Sequence, residues 1–123
     1  MSIGKTLRVE KTVRTEDSAA SYGSGLLDVF STPAMIALME KSAHLLAKSI
    51  LPSDQDTVGI EVNIKHLRAT PVGMKVYAEA EISEIDGRKI TFSVTAYDQS
   101  GEIGVGKHTR FIIDPNKFMN KLI

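Results

Sequence analysis

The run from Ala34 to Leu51 contains neither glycine nor proline and is bounded by Pro33 and Pro52. Such a run predicts one long helix. Thr32 can serve as its N-cap and Pro33 as its first helical residue, where a missing N–H costs nothing. Pro52 stops it, and SDQD forms the next turn. On a helical wheel Met35, Met39, Ala43, Leu46 and Ile50 share a broad apolar face, while Lys41, His44 and Lys48 mark the opposite side.

The segments after the helix read as strands. Thr57–Leu67 alternates, with Val58, Ile60, Val62 and Ile64 on one face and Glu61, Asn63 and Lys65 on the other. After a turn at ATPVG, Met74–Ile85 is a long strand. Asp86-Gly87 is a hairpin signal, Ile90–Tyr97 the next strand, Ser100-Gly101 a turn, and Ile103–Ile113 the last strand before Pro115. Ahead of the helix, residues 4–13 alternate well enough for a strand, and SAASYGSGLLDVF reads as strand or loop leading into the helix.

The order is strand, one long helix, then an antiparallel meander. One apolar helix and one curved antiparallel sheet bury each other in a two-layer α+β domain. No repeat, low-complexity tract or linker divides the chain, so residues 1–123 are expected to form a single domain. A lone helix cannot cover both faces of the sheet, and the sheet's edges need a partner. A homodimer with a continuous sheet, or a dimer of dimers, is expected.

Composition removes several function classes. There are no cysteines, which excludes disulfides, thiolate metal sites and cysteine nucleophiles. Lys plus Arg is 15 and Asp plus Glu is 15, a formal net charge of +0, so neither a nucleic-acid nor an anionic-membrane partner is expected. No apolar run approaches the roughly 18 residues of a membrane span. The opening MSIGKTLRVEKTV alternates and carries charge, unlike a signal peptide. The expected location is cytoplasmic. No cluster of histidines and carboxylates at metal-ligand spacing appears, so no metal is expected.

Three segments carry a more specific signal. Phe30-Ser31-Thr32-Pro33-Ala34-Met35-Ile36-Ala37-Leu38-Met39-Glu40 resembles the start of the central helix in the fluoroacetyl-CoA-thioesterase-like family of hot-dog proteins. His66-Leu67-Arg68-Ala69-Thr70-Pro71-Val72-Gly73-Met74 resembles that family's strand and turn, and Gly106-Lys107-His108-Thr109-Arg110-Phe111 its last strand. They occur in the family's order and with its separations, and span most of the chain from Leu26 to Ile113. The resemblance implies a hot-dog fold, one long central helix wrapped by a curved antiparallel β-sheet. It also implies hydrolysis of a small acyl-CoA thioester, with coenzyme A part of the substrate and no separate cofactor. The catalytic threonine, glutamate and histidine of the family match Thr32, Glu40 and His66. A glycine near the thioester matches Gly59, and a ligand-contacting arginine matches Arg110. The fluoroacetyl-specific member carries bulky aromatics before the helix. Here that segment is YGSGLL, which implies a site without selectivity for fluoroacetate.

Read from the residues alone, each position admits a plainer role. Thr32 is an N-cap, although a helix N-terminus also favours developing negative charge. Glu40 sits at the edge of the apolar face beside Ile36 and Ala43, as a solvated glutamate or, if partly buried, as a stronger base. His66 shares the parity of the apolar residues of its strand unless a bulge intervenes, so it is a core or interface histidine or a pocket lip. His44, one turn after Glu40, is the rival partner for that carboxylate. His108 and Arg110 share a strand face with Gly104 and Gly106, which suits either a twisted edge strand or close approach by a ligand. Met35, Met39 and Met74 suit an adaptable acyl pocket or the core.

The implied chemistry needs a nucleophile, a place for the oxyanion and a route for the proton. Glu40 would activate water or attack directly to give a mixed anhydride. Thr32 would polarise or orient the nucleophile, His66 would shuttle protons or hold the thioester, and backbone N–H groups near Gly59 or the helix start would receive the oxyanion. Two other readings of the same fold stand beside it. One is a hydratase or dehydratase, disfavoured because no histidine lies between Met1 and Ala43. The other is a non-catalytic acyl-CoA-binding dimer, since fold alone does not decide function.

Overall fold

The face of the long helix that is apolar on the wheel is the face that is buried. A computed structural model describes residues 2–123 and leaves Met1 outside the description. In chain order the elements are β1 (Thr6–Thr12), a 3₁₀ turn (Thr15–Asp17), α1 (Ala19–Tyr22), α2 (Thr32–Ile50), β2 (Asp56–His66), β3 (Lys75–Asp86), β4 (Lys89–Asp98), β5 (Gly101–Ile113) and α3 (Pro115–Asn120). Met35, Met39, Ala43 and Leu46 of α2 are buried, together with Ala34, Leu38 and Ala47, and Ile50 is half-buried. Among the described residues no helix is long and apolar enough to cross a membrane.

The strands form one antiparallel sheet in the order β1-β3-β4-β5-β2. Alternation along β3 and β4 points Val76, Ala78, Ala80 and Ile82, and Ile90, Phe92, Val94 and Ala96, onto α2. Small residues in β3 let the helix lie close to the sheet. Register shifts at Gly59/Glu61, Ile82/Glu84 and Ala96/Tyr97 mark bulges, which add twist and bend the sheet around the helix. This is the expected α+β arrangement of one long helix wrapped by a curved sheet.

The structure corrects several local expectations. Ser31, not Thr32, caps α2: its hydroxyl accepts from the Ala34 N–H at 3.1 Å, and Thr32 is the first helical residue. The β3–β4 turn centres on Gly87-Arg88, one residue later than expected, with Gly87 at φ +61°. The single face predicted for Val58, Ile60, Val62 and Ile64 does not exist. The bulge at Ile60 turns Val58 to the outer face, paired with Phe111, and puts Gly59 on the helix face with Arg110. Beyond the bulge Val62, Ile64 and His66 lie on the helix face, opposite His108, Gly106 and Gly104. β5 is an inner strand rather than an edge. Its glycines admit protein, not ligand: at Gly104 a Cβ would meet Met35 Sδ at 2.5 Å, and at Gly106 the backbone of Asn63 and Ile64 fills the space. Met35 and Met39 are core residues, 0% and 1% exposed. The short helix α3 is an addition to the expected elements. Asp114 caps it by accepting the Lys117 N–H, and Pro115 occupies its first turn.

Candidate active site

The freeing of Thr32 from capping has a consequence at the far end of β2. The Thr32 hydroxyl lies 2.8 Å from His66 Nδ1. Two clamps hold these residues together. Phe30 N–H donates to the Thr70 carbonyl at 2.8 Å, tying the approach to α2 to the segment after His66. That segment is itself fixed by Asp98, whose carboxylate accepts from Thr70 Oγ1 at 2.7 Å, Ser100 N–H at 2.7 Å and Arg68 Nη2 at 3.0 Å. Burial opposes the charge on Asp98, but these hydrogen bonds outweigh it and hold the carboxyl below its usual range. On the other side Ser31 N–H donates to the carbonyl of Asp17, a residue anchored by Lys11 at 2.7 Å.

Burial pushes the His66 pKa down, with the Arg68 backbone opposing, so the ring is neutral near pH 7. Its Nε2 is buried and has no hydrogen-bond partner within the chain. A buried ring nitrogen left without a partner is costly. The Thr32 hydroxyl engages the other ring nitrogen, Nδ1, so Nε2 is the one position of the imidazole left without a partner. The pair opens on a cleft of about 500 Å³ lined by Phe30, Ser31, Thr32, His66, Arg68 and Ala69. Next to it the YGSGLL segment leaves Leu26 94% and Leu27 68% exposed.

Glu40, Gly59 and Arg110 come together elsewhere. A Cβ on Gly59 would lie 3.2 Å from Glu40 Oε2, 3.4 Å from Arg110 Nη1 and 3.1 Å from His108 Cε1, so glycine is what leaves room above this carboxylate. Glu40 is half-buried. Arg110 is buried, donating from Nε to Thr57 Oγ1 at 2.7 Å and from Nη2 to the Thr57 carbonyl at 3.0 Å. Burial works against its charge while Glu40 and Asp56 favour it, and a guanidinium stays protonated in such surroundings. The rival helix pair does not form: His44 Nε2 bonds Asp56 Oδ1 at 2.7 Å instead of Glu40.

One chain therefore brings the five expected residues together as two groups, Thr32 with His66 and Glu40 with Gly59 and Arg110. Eight residues of helix separate Thr32 from Glu40, a rise of about 12 Å. Sequence reasoning missed the supports, Thr57, Asp98 and Asp17. They are polar residues at strand ends or in a turn, and nothing local distinguishes them from surface residues. Among the described residues no group of His, Asp and Glu is arranged to hold a metal ion.

Residues 13–116 match the fluoroacetyl-CoA-specific thioesterase family, FlK. The fluoroacetyl-CoA thioesterase of Streptantibioticus cattleyicolor is 34% identical over 112 residues, covering 91% of this chain and 81% of that protein. A solved structure of the fluoroacetyl-CoA thioesterase FlK superposes with a TM-score of 0.92 at 28% identity, covering 99% of this chain and 95% of that one. A thioesterase superfamily member from Thermus thermophilus shares the fold, with a TM-score of 0.90 at 24% identity over 98% of this chain and 89% of that one. With its sheet wrapped around one helix and its match over residues 13–116, this chain belongs to the fluoroacetyl-CoA-specific thioesterase family of hot-dog proteins.

Proposed function

We propose that the protein is an acyl-CoA thioesterase that hydrolyses a small acyl thioester, and that residues 1–123 act as a single domain within a homodimer. The observation that carries this reading is the split of the site within one chain. The Thr32–His66 pair and the Glu40–Gly59–Arg110 group sit at opposite ends of β2. β2 is an edge strand that exposes Ile60 at 54% and Val62 at 44%. With the bulge at Ile60 counted, two β2 edges paired antiparallel about a two-fold axis at Asn63 would place His66 of one protomer across from Gly59 of the other. Such an isologous contact closes the sheet edge and completes two sites at once.

In that site Glu40 takes the proton of a water molecule whose oxygen attacks the thioester carbonyl. Collapse of the tetrahedral intermediate breaks the C–S bond, and the proton passes through His66 to the departing thiolate of coenzyme A. Thr32 orients the water and shares its hydrogen bond with His66. Gly59 admits the thioester beside Glu40, and Arg110 binds the substrate at the same place. Coenzyme A enters as part of the substrate, and no further cofactor takes part. A dimer or dimer of dimers acting in the cytoplasm suits a soluble thioester substrate.

Assay against a short panel of acyl-CoAs is expected to show turnover on small acyl groups, without the preference for fluoroacetyl-CoA that bulky aromatics before the helix would provide. Binding without turnover across the panel would favour the acyl-CoA-binding reading. Light scattering at micromolar concentration is expected to report a dimer or a multiple of it. A stable monomer that still turns over substrate would contradict the composite site.

A further inference from the structure

His108 is 1% exposed and lies in the wall of the Glu40 group, yet the proposed hydrolysis gives it no task. Its two ring nitrogens have partners that permit only one protonation state. Nδ1 is 2.8 Å from the Glu61 carbonyl, which can only accept, so Nδ1 carries a hydrogen. Nε2 is 3.1 Å from Arg110 Nη1, which can only donate, so Nε2 carries none. The ring is the neutral Nδ1–H tautomer.

That assignment bears on Glu40. Arg110 Nη1 and Glu40 Oε2 lie 3.4 Å and 3.2 Å from one point above Gly59, yet no ion pair joins them. Arg110 is turned instead to Thr57 through Nε and Nη2 and to His108 through Nη1. This leaves one hydrogen on each terminal nitrogen unspent. We propose that His108 is a positioning residue for the thioester chemistry: by accepting from Arg110 it holds the guanidinium off the Glu40 carboxylate, keeping Glu40 free to act and the unspent N–H groups of Arg110 available to the substrate. The inference rests on the thioesterase reading of this site.

The ring's other neighbours are one aromatic side chain and two carboxylates. Phe92 of β4 stacks on it with centroids 6.3 Å apart. The charged groups facing the pair are Glu40 from α2 and Asp56 from β2, the latter engaged by His44. Burial lowers the His108 pKa, the Glu61 carbonyl opposes this, Arg110 adds to it and Glu40 opposes it, and the net direction is down. A proton on Nε2 would set donor against donor and release Arg110 toward Glu40.

The test compares His108→Leu, which removes the acceptor, with His108→Gln, whose amide oxygen reaches the place of Nε2. His108→Leu is expected to lower kcat/KM by about 10²-fold, the usual cost of misplacing a functional group. It should also move the acid limb of the kcat/KM profile to lower pH, because a cation in contact with a carboxylate favours its charged form. His108→Gln is expected to recover most of the rate and the original limb. A purely packing role would lower the rate without moving the limb, and Gln would not rescue it; that result overturns the proposal. Nitrogen NMR of the histidine rings in the unmutated protein gives a readout independent of the variants' folding. It should show His108 protonated on Nδ1 alone near neutral pH. A cationic ring or the Nε2–H tautomer in an active enzyme refutes the inference and leaves the thioesterase reading standing. Absence of any acyl-CoA hydrolysis by the unmutated protein, with the expected tautomer present, refutes the thioesterase reading instead and the positioning role with it.

Discussion

Glu40→Gln is expected to lower turnover on a small acyl-CoA by about 10²- to 10⁴-fold, the range that a general acid–base group contributes. Gln keeps the shape of the side chain and the space above Gly59, so the protein should remain folded. His66→Ala should fall in the same range, since it removes the partner of the Thr32 hydroxyl and the unbonded Nε2 together. Thr32→Ala is an unusually clean test in this chain. Had Thr32 capped α2, its loss would have cost about 1 kcal/mol of helix stability. Ser31 performs that task, so the Ala variant removes the hydroxyl that faces His66, and a methyl group with it, while the cap stays in place. Thr32→Ser keeps the hydroxyl and should retain most of the rate. His44→Ala breaks the contact with Asp56 but leaves the hydrogen bonds that hold Arg110 to Thr57 and His108 in place, and should leave hydrolysis nearly unchanged. If His44→Ala abolished turnover while His66→Ala retained it, the assignment of Thr32, Glu40 and His66 would be wrong. If all of these variants matched the unmutated protein in steady-state assays, catalysis would have to be placed elsewhere.

Gly106→Ala is expected to cost the protein more stability than any other glycine substitution in the sheet. A Cβ there would run into the Asn63 carbonyl oxygen, lie 2.8 Å from Ile64 Cα and 3.0 Å from Asn63 C. All of these are backbone atoms of β2, and they can give way only if β2 parts from β5. Overpacking costs about 1–3 kcal/mol and a backbone clash falls at the top of that range, which for a domain of this size lowers Tm by roughly 10 °C. Because β2 carries both Gly59 and His66 and supplies the exposed edge, activity and dimerisation should fall with it. Gly104→Ala is the control. Its Cβ would meet Met35 Sδ at 2.5 Å and Cε at 2.6 Å, atoms at the end of a flexible side chain that can turn aside. Thermal unfolding followed by circular dichroism should therefore rank Gly106→Ala well below Gly104→Ala. Equal midpoints, or a Gly106→Ala midpoint within about 2 °C of the unmutated protein by the same scale, would show that β2 and β5 adjust freely.

The strand boundaries and the buried face of α2 could be read directly from the chain, because hydrophobic alternation and helical periodicity are properties of neighbouring residues. The hot-dog architecture followed from the order of those elements and from three motifs in sequence. Thr32, Glu40, His66, Gly59 and Arg110 were also legible as candidates, through the same motifs. What the chain could not disclose locally was how they group. The bulge at Ile60 reverses the faces of β2, and a bulge is set by how two strands register against each other, not by the alternation within one. That reversal is what puts Gly59 beside Glu40 and Arg110 while His66 faces Thr32. The cap at Ser31 depended on which of two adjacent hydroxyls the Ala34 N–H met, and the answer left Thr32 for His66. The roles of Gly104 and Gly106 likewise passed from ligand approach to strand and methionine packing once their neighbours were in place. The elements, their order and the residue types that chemistry would need are legible along the chain. Which of those residues meet is set in the folded molecule, because contacts between residues far apart in the chain depend on register, bulges and curvature that no single segment encodes.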